Sequence, residues 1–316
     1  MQDIERSSQL FVKIMKYYEL EPSNNTFKTL SVQTTYKCQK KCSNCYLGSM
    51  LNNDNIPDVD PVRFENLISQ LPNRTDIRFI GAEPTMNPNL FDLLKIVRKN
   101  GHRPSLLTNG LKLRRDVYAK QLKGSGLNML GISMNGGLDD EMYKIFDGGK
   151  YAKSKSIALE NCFKFKILPH INVIVDPFNV KVVKPLIDFI VETAKKYNVR
   201  ISPTKFPVMI RLKSIGKMGF FRDTHTYSLN ELKEIVENIH GNDLEYVNMI
   251  DGHLEQRSLM YKFDTSAGVM LGKITDWTVD DDGVPDSGSK RRGIITDNYK
   301  VAPFFEYYAK SLEEMG

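Results

Sequence analysis

The chain has 316 residues, 41% of them hydrophobic and 26% charged, the make-up of an ordinary soluble globular protein with length for one large domain or a domain plus an extension. Its 44 basic and 38 acidic residues leave +6; the basic clusters Arg98-Lys99, Arg114-Arg115, Lys195-Lys196 and Lys290-Arg291-Arg292 read first as solvated surface and second as an anion-binding patch, and nucleic acid is not indicated by any motif. No apolar run approaches the ~18 residues that span a membrane, four cysteines do not suggest secretion, and Met1-Gln-Asp-Ile-Glu-Arg lacks the form of a signal peptide, so the expected location is cytoplasmic.

Along the chain, Leu10, Phe11, Ile14 and Met15 follow helical spacing, which predicts an N-terminal helix over 3–18, ended by Pro22-Ser23-Asn24-Asn25. Leu30–Thr35 alternates and is rich in β-branched residues, a strand pattern. A βα rhythm follows. A helix is expected over 61–70, opened by Asp60-Pro61. Strand Ile77–Ile80 ends in Gly81-Ala82-Glu83-Pro84, and helix 89–99 carries Leu90, Leu93, Leu94 and Val97 on one face. Strand 104–108 ends in Thr108-Asn109-Gly110. Helix 114–123 leads to strand Met129–Ser133, which ends in Met134-Asn135-Gly136-Gly137. Helix 152–165 precedes strand His170–Val175, and helix 180–196 precedes a sixth strand at Arg200–Pro203.

Such alternation predicts an α/β fold: a partial (βα)6 barrel of mainly parallel strands, with chemistry at the strands' C-terminal ends. Past 206 the rhythm breaks. Arg211–Gly219 reads as a loop, Ser228 and Glu231 form a capping box that starts a helix, 268–300 as short strands turning at Asp280–Gly283, and 300–313 as helix. The expected organisation is an N-terminal helical extension (1–27), the barrel core (28–206) and a small α+β C-terminal extension or cap (207–316).

Three of the four cysteines, Cys38, Cys42 and Cys45, stand in one Cys-x3-Cys-x2-Cys run directly after the first strand. Three thiolates leave one iron of a [4Fe–4S] cluster open. A structural zinc site wants four ligands, yet the remaining cysteine, Cys162, is far along the chain and the nearest histidine is His102. Zinc, or cysteines with no metal role, stay as the lesser readings. None of the five histidines is paired at metal-ligand spacing, and Cys162 reads as packing.

This run resembles the signature of the radical SAM superfamily, and the resemblance extends over roughly 28–206. It implies one [4Fe–4S] cluster on Cys38, Cys42 and Cys45, with S-adenosylmethionine on the open iron. Gly81-Ala82-Glu83-Pro84 resembles the family's Gly-Gly-Glu-Pro, which holds the methionine amino group; Ala82 replaces the second glycine. Asn109, Ser133 and Asn135 fall where the family contacts the ribose or the carboxylate, and Ile171–Val175 and Ile201–Pro203 where it packs the adenine. Arg211, with Lys213 and Lys217, is expected to reach the carboxylate or the substrate. The family usually has an aromatic residue before the third cysteine; here Asn44 stands there and Tyr46 follows the run, so Tyr46 is the candidate for the adenine contact, with packing as its other reading. Ile274–Ser287 has the outline of a SPASM or twitch hairpin without its cysteines, and a plain surface hairpin accounts for it equally; Trp277 and the aromatics at 304–308 are expected to anchor it. The implied function is reductive cleavage of S-adenosylmethionine and hydrogen abstraction from a small-molecule or peptide substrate, with an electron donor such as flavodoxin or ferredoxin. A glycyl-radical-type activase and a non-catalytic iron–sulfur or zinc protein are the alternatives.

Overall fold

In the computed structural model the described residues are 17–43, 45–204, 207–214, 227–247, 258–276, 292–304 and 306–307. Nearly all of the expected N-terminal helix, Asn44, Lys217, Trp277, the turn at 280–283 and the segment 308–313 lie outside them. The described strands are β1 (Thr29–Gln33), β2 (Asp76–Ile80), β3 (Arg103–Thr108), β4 (Met129–Ser133), β5 (Pro169–Val175), β6 (Met209–Ser214), β7 (Leu244–Val247), β8 (Ser258–Thr265), β9 (Gly268–Thr275), β10 (Arg292–Ile295) and β11 (Val301–Pro303). The described helices are α1 (Pro61–Ile68), α2 (Leu90–Lys99), α3 (Asp116–Gly124), α4 (Asp140–Asp147), α5 (Ala152–Lys164), α6 (Val183–Lys196) and α7 (Leu229–His240). The fold is mixed α/β with mainly parallel strands, and it divides into two compact units.

The first unit comprises 1–38, 47–105 and 279–316. Its central strand is β1, paired in parallel with β2 on one side and β10 on the other; Val32 stands opposite Phe79 and Ile295. β11 adds an antiparallel edge to β10. α1 starts where Asp60 accepts the Arg63 N–H at 2.8 Å and Pro61 takes the first helical position, which satisfies one orphan donor and loses none. The α2 stripe Leu90, Leu93, Leu94 and Val97 is buried as its spacing requires. His102 is a structural histidine. Its Nδ1 accepts the Thr75 N–H at 3.1 Å, which leaves Nε2–H to donate to the Ile68 carbonyl at 3.2 Å, and burial lowers its pKa.

The second unit comprises 39–46 and 106–278. Here β4, β5, β6 and β9 run parallel in that order, and β8 and β7 continue antiparallel. One face of this sheet is apolar: Leu130, Ile132, Ile171, Val173, Ile210, Leu212 and Ile274 are all buried. α6 buries Leu186, Ile187, Ile190 and Val191, each worth ~1.5–3 kcal/mol of transfer free energy when fully enclosed. The opposite sheet face mixes half-exposed polar residues, among them His170, Asn172, Arg211, Lys213 and Lys273, with Ile174 and the buried Met209 and Leu271. α7 opens on the expected capping box: Ser228 Oγ accepts the Glu231 N–H at 3.3 Å, and Glu231 Oε2 accepts the Ser228 N–H at 2.8 Å.

Four expectations need correction. The sixth strand is Met209–Ser214; Arg200–Pro203 forms only a bridge from Ile201 to Gly268. Pro203 has no N–H to give a ladder, whereas Met209–Ser214 alternates buried Ile210 and Leu212 with half-exposed Arg211 and Lys213. Arg211 and Lys213 therefore lie within this strand instead of in a loop after it. Helix α4 was not expected; Asp139 caps it by accepting the Glu141 N–H at 2.8 Å. Val301–Pro303 is strand, not helix. Beyond 206, β7 to β9 build the sheet of the second unit and β10 and β11 that of the first.

Candidate functional site

In the first unit the chain leaving β1 is strapped to the end of β2. Thr34 N–H and its hydroxyl both donate to the Ile80 carbonyl (2.9 and 3.0 Å), Ala82 N–H donates to Thr35 O (3.0 Å), and Glu83 N–H to Lys37 O (3.0 Å). The two strand-end loops thus continue the parallel pairing up to the first cysteine. Gly81 is required there: it has φ +155, and a Cβ would sit 2.8 Å from Thr35 O. Ala82 is half-buried and accommodates its methyl. Cys38 N–H donates to Asn52 Oδ1 at 2.8 Å, and Asn52 N–H returns to Tyr36 O at 2.7 Å. Glu83 is buried; one carboxylate oxygen, Oε1, caps the short turn Pro84–Met86 by accepting the Thr85 N–H (3.1 Å) and hydroxyl (2.6 Å). It opens that turn as a buried carboxylate, not a solvated one.

In the second unit the segment Gln39–Tyr46 is braced by α4. Ser43 N–H and hydroxyl donate to the Phe146 and Ile145 carbonyls, both at 3.0 Å. Gly148 ends α4 in the left-handed conformation (φ +76), and a Cβ there would stand 2.6 Å from Lys41 O. Asn109 Oδ1 accepts the Leu111 N–H at 2.9 Å and the Gln39 side-chain amide at 3.4 Å, so the loop after β3 touches the cysteine segment. Asn135 is heavily engaged: Oδ1 accepts the Ile174 N–H (3.0 Å), its carbonyl accepts from Asn179 (2.9 Å) and its amide donates to Asp147 Oδ1 (3.3 Å). Those bonds make it a brace between the loops after β4 and β5. Tyr46 is half-buried at the end of the cysteine segment.

Sequence reading missed a charged group beneath this segment. Lys40, Asp147 and Lys155 are all buried. Both lysines ion-pair with Asp147 Oδ2, Lys155 at 3.4 Å, and Cys42 Sγ lies 3.7 Å from Oδ1. Lys155 also donates to the Ser133 carbonyl and faces the Tyr143 ring at 4.9 Å. The two ammonium groups hold the Asp147 carboxyl below its ordinary value against the pull of burial. Burial, reinforced by Lys40, pushes Lys155 down to about 7.

Register also reveals a polar row. Ser133 stands opposite Asn172, Asn172 opposite Arg211, and Arg211 opposite Lys273. All four are half-exposed. Lys213 shares their face by the period-two rule. Among the described residues of β4, β5, β6 and β9 this face bears no acidic side chain.

The thiols fit a thiolate-ligated cluster by their chemistry. Cys38, Cys42 and Cys45 are half-buried, while Cys162 is fully buried in α5 with its thiol pushed up to about 12 by desolvation. Among the described residues no three His, Cys, Asp or Glu side chains are gathered to hold a metal ion; Cys38, Cys42 and Cys45 are grouped by their spacing. Among the described residues no helix is long and apolar enough to cross a membrane.

The family model described as radical SAM superfamily matches residues 32–190, half of the chain. The 7,8-dihydro-6-hydroxymethylpterin dimethyltransferase of Methanocaldococcus jannaschii is 29% identical over 138 residues, 42% of this chain and 27% of that protein. Fe-coproporphyrin III synthase of Methanosarcina barkeri is 28% identical over 170 residues, 50% of this chain and 39% of the other. GTP 3′,8-cyclase of Streptomyces coelicolor is 31% identical over 112 residues, 34% and 32% of the two chains. The chain spans well under half the length of each. Among solved structures, Streptococcus suis SuiB bound to S-adenosylmethionine has the same fold over 67% of this chain and 47% of its own, with a TM-score of 0.55 at 16% identity. The chain belongs to the radical SAM superfamily, whose defining cofactors are a [4Fe–4S] cluster and S-adenosylmethionine.

Proposed function

We propose that this chain cleaves S-adenosylmethionine reductively at a single [4Fe–4S] cluster held by Cys38, Cys42 and Cys45, and that it acts on a small-molecule or peptide substrate. The carrying observation is the three-cysteine run inside the family match, directly after β1 and braced by backbone bonds on either side of the loop. Bound there, the cofactor pair supplies a 5′-deoxyadenosyl radical able to take hydrogen from an unactivated carbon. The chain's own residues bind and orient. Gly81, Ala82 and Glu83 offer main-chain polar groups and a carboxylate to the methionine amino group; Asn109, Ser133, Asn135 and Tyr46 are the proposed contacts to the rest of S-adenosylmethionine. The barrel core is taken as 28–206, the electron donor as a flavodoxin or ferredoxin, and the working compartment as the cytoplasm.

The polar row narrows the substrate. A half-exposed sheet face carrying Arg211, Lys213 and Lys273 with no acid among its described strand residues favours an anionic group, and Arg presents a planar fork to carboxylate or phosphate. Anaerobic reconstitution, then S-adenosylmethionine and dithionite, tests the reading. Wild type is expected to release 5′-deoxyadenosine and Cys42→Ala none; equal output from both rejects it. The substrate class is checked by mass spectrometry of the coupled product: one lacking carboxylate and phosphate removes that part.

A further inference from the structure

The second unit gathers exposed cations beside the cysteine segment. Arg114 Nη1 donates to Ser154 Oγ at 3.3 Å, which sets the guanidinium next to Lys153 at the start of α5. Lys150 lies in the loop that joins α4 to α5. That loop abuts the cysteine segment: the Tyr151 ring is 5.9 Å from Lys40 Nζ, and a Cβ on Gly148 would stand 2.6 Å from Lys41 O. Arg114, Lys150 and Lys153 are exposed, and none has a carboxylate partner among the described residues. The nearby carboxylates are engaged elsewhere. Glu141 pairs with Lys144 at 2.6 Å, Glu160 with Lys196 at 3.1 Å, and Asp116 with Lys164. Asp139 and Asp140 accept the Glu141 and Ala152 N–H groups at the helix starts, at 2.8 and 2.9 Å. Ile145, 51% exposed, adds an apolar point, and its carbonyl accepts the hydroxyl of Ser43, the residue after Cys42. Cations left without a carboxylate steer an acidic partner and orient it, and an apolar point inside a charged rim suits a transient interface.

We propose that Arg114, Lys150 and Lys153, with Ile145, form the docking surface for an acidic one-electron carrier protein that bears a flavin or an iron–sulfur group. The inference rests on the proposed function, which requires an electron delivered from outside to the cysteine segment. In the step it serves, the carrier is oxidised by one electron and the cluster gains that electron; no bond forms or breaks, and no atom passes between the two proteins.

The test uses the reconstituted full chain, a flavodoxin as the carrier, and the triple variant Arg114→Glu, Lys150→Glu, Lys153→Glu. A second triple, Arg74→Glu, Arg98→Glu, Lys181→Glu, makes the same change in net charge at other exposed positions. Circular dichroism checks both folds. Titration calorimetry with oxidised flavodoxin gives the affinity, and 5′-deoxyadenosine release gives kcat/KM for reduced flavodoxin. Carbodiimide cross-links between the carrier's carboxylates and the wild-type chain's lysines are located by mass spectrometry. At low salt the first triple is expected to bind about tenfold more weakly and to lose as much in kcat/KM, with the gap narrowing at high salt as the charges are screened. Cross-links are expected at Lys150 or Lys153. Both triples are expected to keep the wild-type rate once excess dithionite has reduced them. No binding to wild type, equal affinity in wild type and the first triple, an equal loss in the second triple, or cross-links confined to other lysines overturns the inference. A wild type that releases no 5′-deoxyadenosine under excess dithionite overturns the proposed function instead.

Discussion

Replacing Gly148 by alanine probes the brace between α4 and the cysteine segment. Gly148 has φ +76, and its new Cβ would meet Lys41 O at 2.6 Å and Lys41 Cβ at 3.2 Å. Two costs arise. A side chain in the left-handed region costs ~1–2 kcal/mol. Forcing an extra methyl against a backbone carbonyl adds ~1–3 kcal/mol, and Lys41 O cannot move without carrying the segment from Gln39 to Cys45. Gly101 supplies the control, since it has φ +80 with nothing within 4 Å of its Cβ. Gly101→Ala is therefore expected to lose about 1–2 kcal/mol and keep wild-type iron uptake, whereas Gly148→Ala loses about 2–5 kcal/mol and much of its iron. Urea unfolding gives the first quantity, provided the slopes agree, and iron analysis after reconstitution gives the second. Equal losses in the two variants, with equal iron, would refute the claim that α4 sets the position of the cysteine segment.

Iodoacetamide at pH 8 is expected to label three thiols in the native apo-protein and the fourth, Cys162, only after denaturation, because burial pushes that thiol up to about 12; intact mass decides, and a fourth native label contradicts the assignment. His240 has its pKa lowered from 6.5 to about 4, by burial first and Lys184 second. The unfolded chain binds the proton more readily, so the stability it contributes is complete above about pH 6.5 and lost as the pH falls toward 4; after discounting for the ring's partial exposure this is ~1–2 kcal/mol. His240→Gln should flatten that slope in denaturation midpoints taken across the range, and an unchanged slope counts against it. Ser228→Ala removes one half of the capping box and is expected to cost ~1 kcal/mol; thermal melts that coincide with wild type would show that the cap does not contribute.

Apart from α4, the βα rhythm from Asp76 to Val175 was legible because the elements there have a clear period and a turn after them. Where the period was disguised, reading failed. In Met209–Ser214 two basic residues alternate with Ile210 and Leu212, a stretch too short for its period to stand out from the glycine-containing run 211–219. Helix α4 follows Gly136-Gly137, and its eight residues are too few for a helical stripe to declare itself. The cysteines and the strand-end motifs were visible as local patterns. The buried trio of Lys40, Asp147 and Lys155 was not, because charged residues are almost never fully buried unless paired, and the pairing joins residues far apart in sequence.

The parallel pairing of β1 with β10 has a consequence for how the protein is made. Thr29 to Val32 align with Arg292 to Ile295, so the strand that leads into the cysteines gains this neighbour only after every residue in between has left the ribosome. Until then that side of β1 is an unpaired edge, open to pairing with another chain. Closing such a long loop is slow. A nascent or truncated chain lacking 292–295 would be prone to associate through β1 before it could ever be loaded with iron.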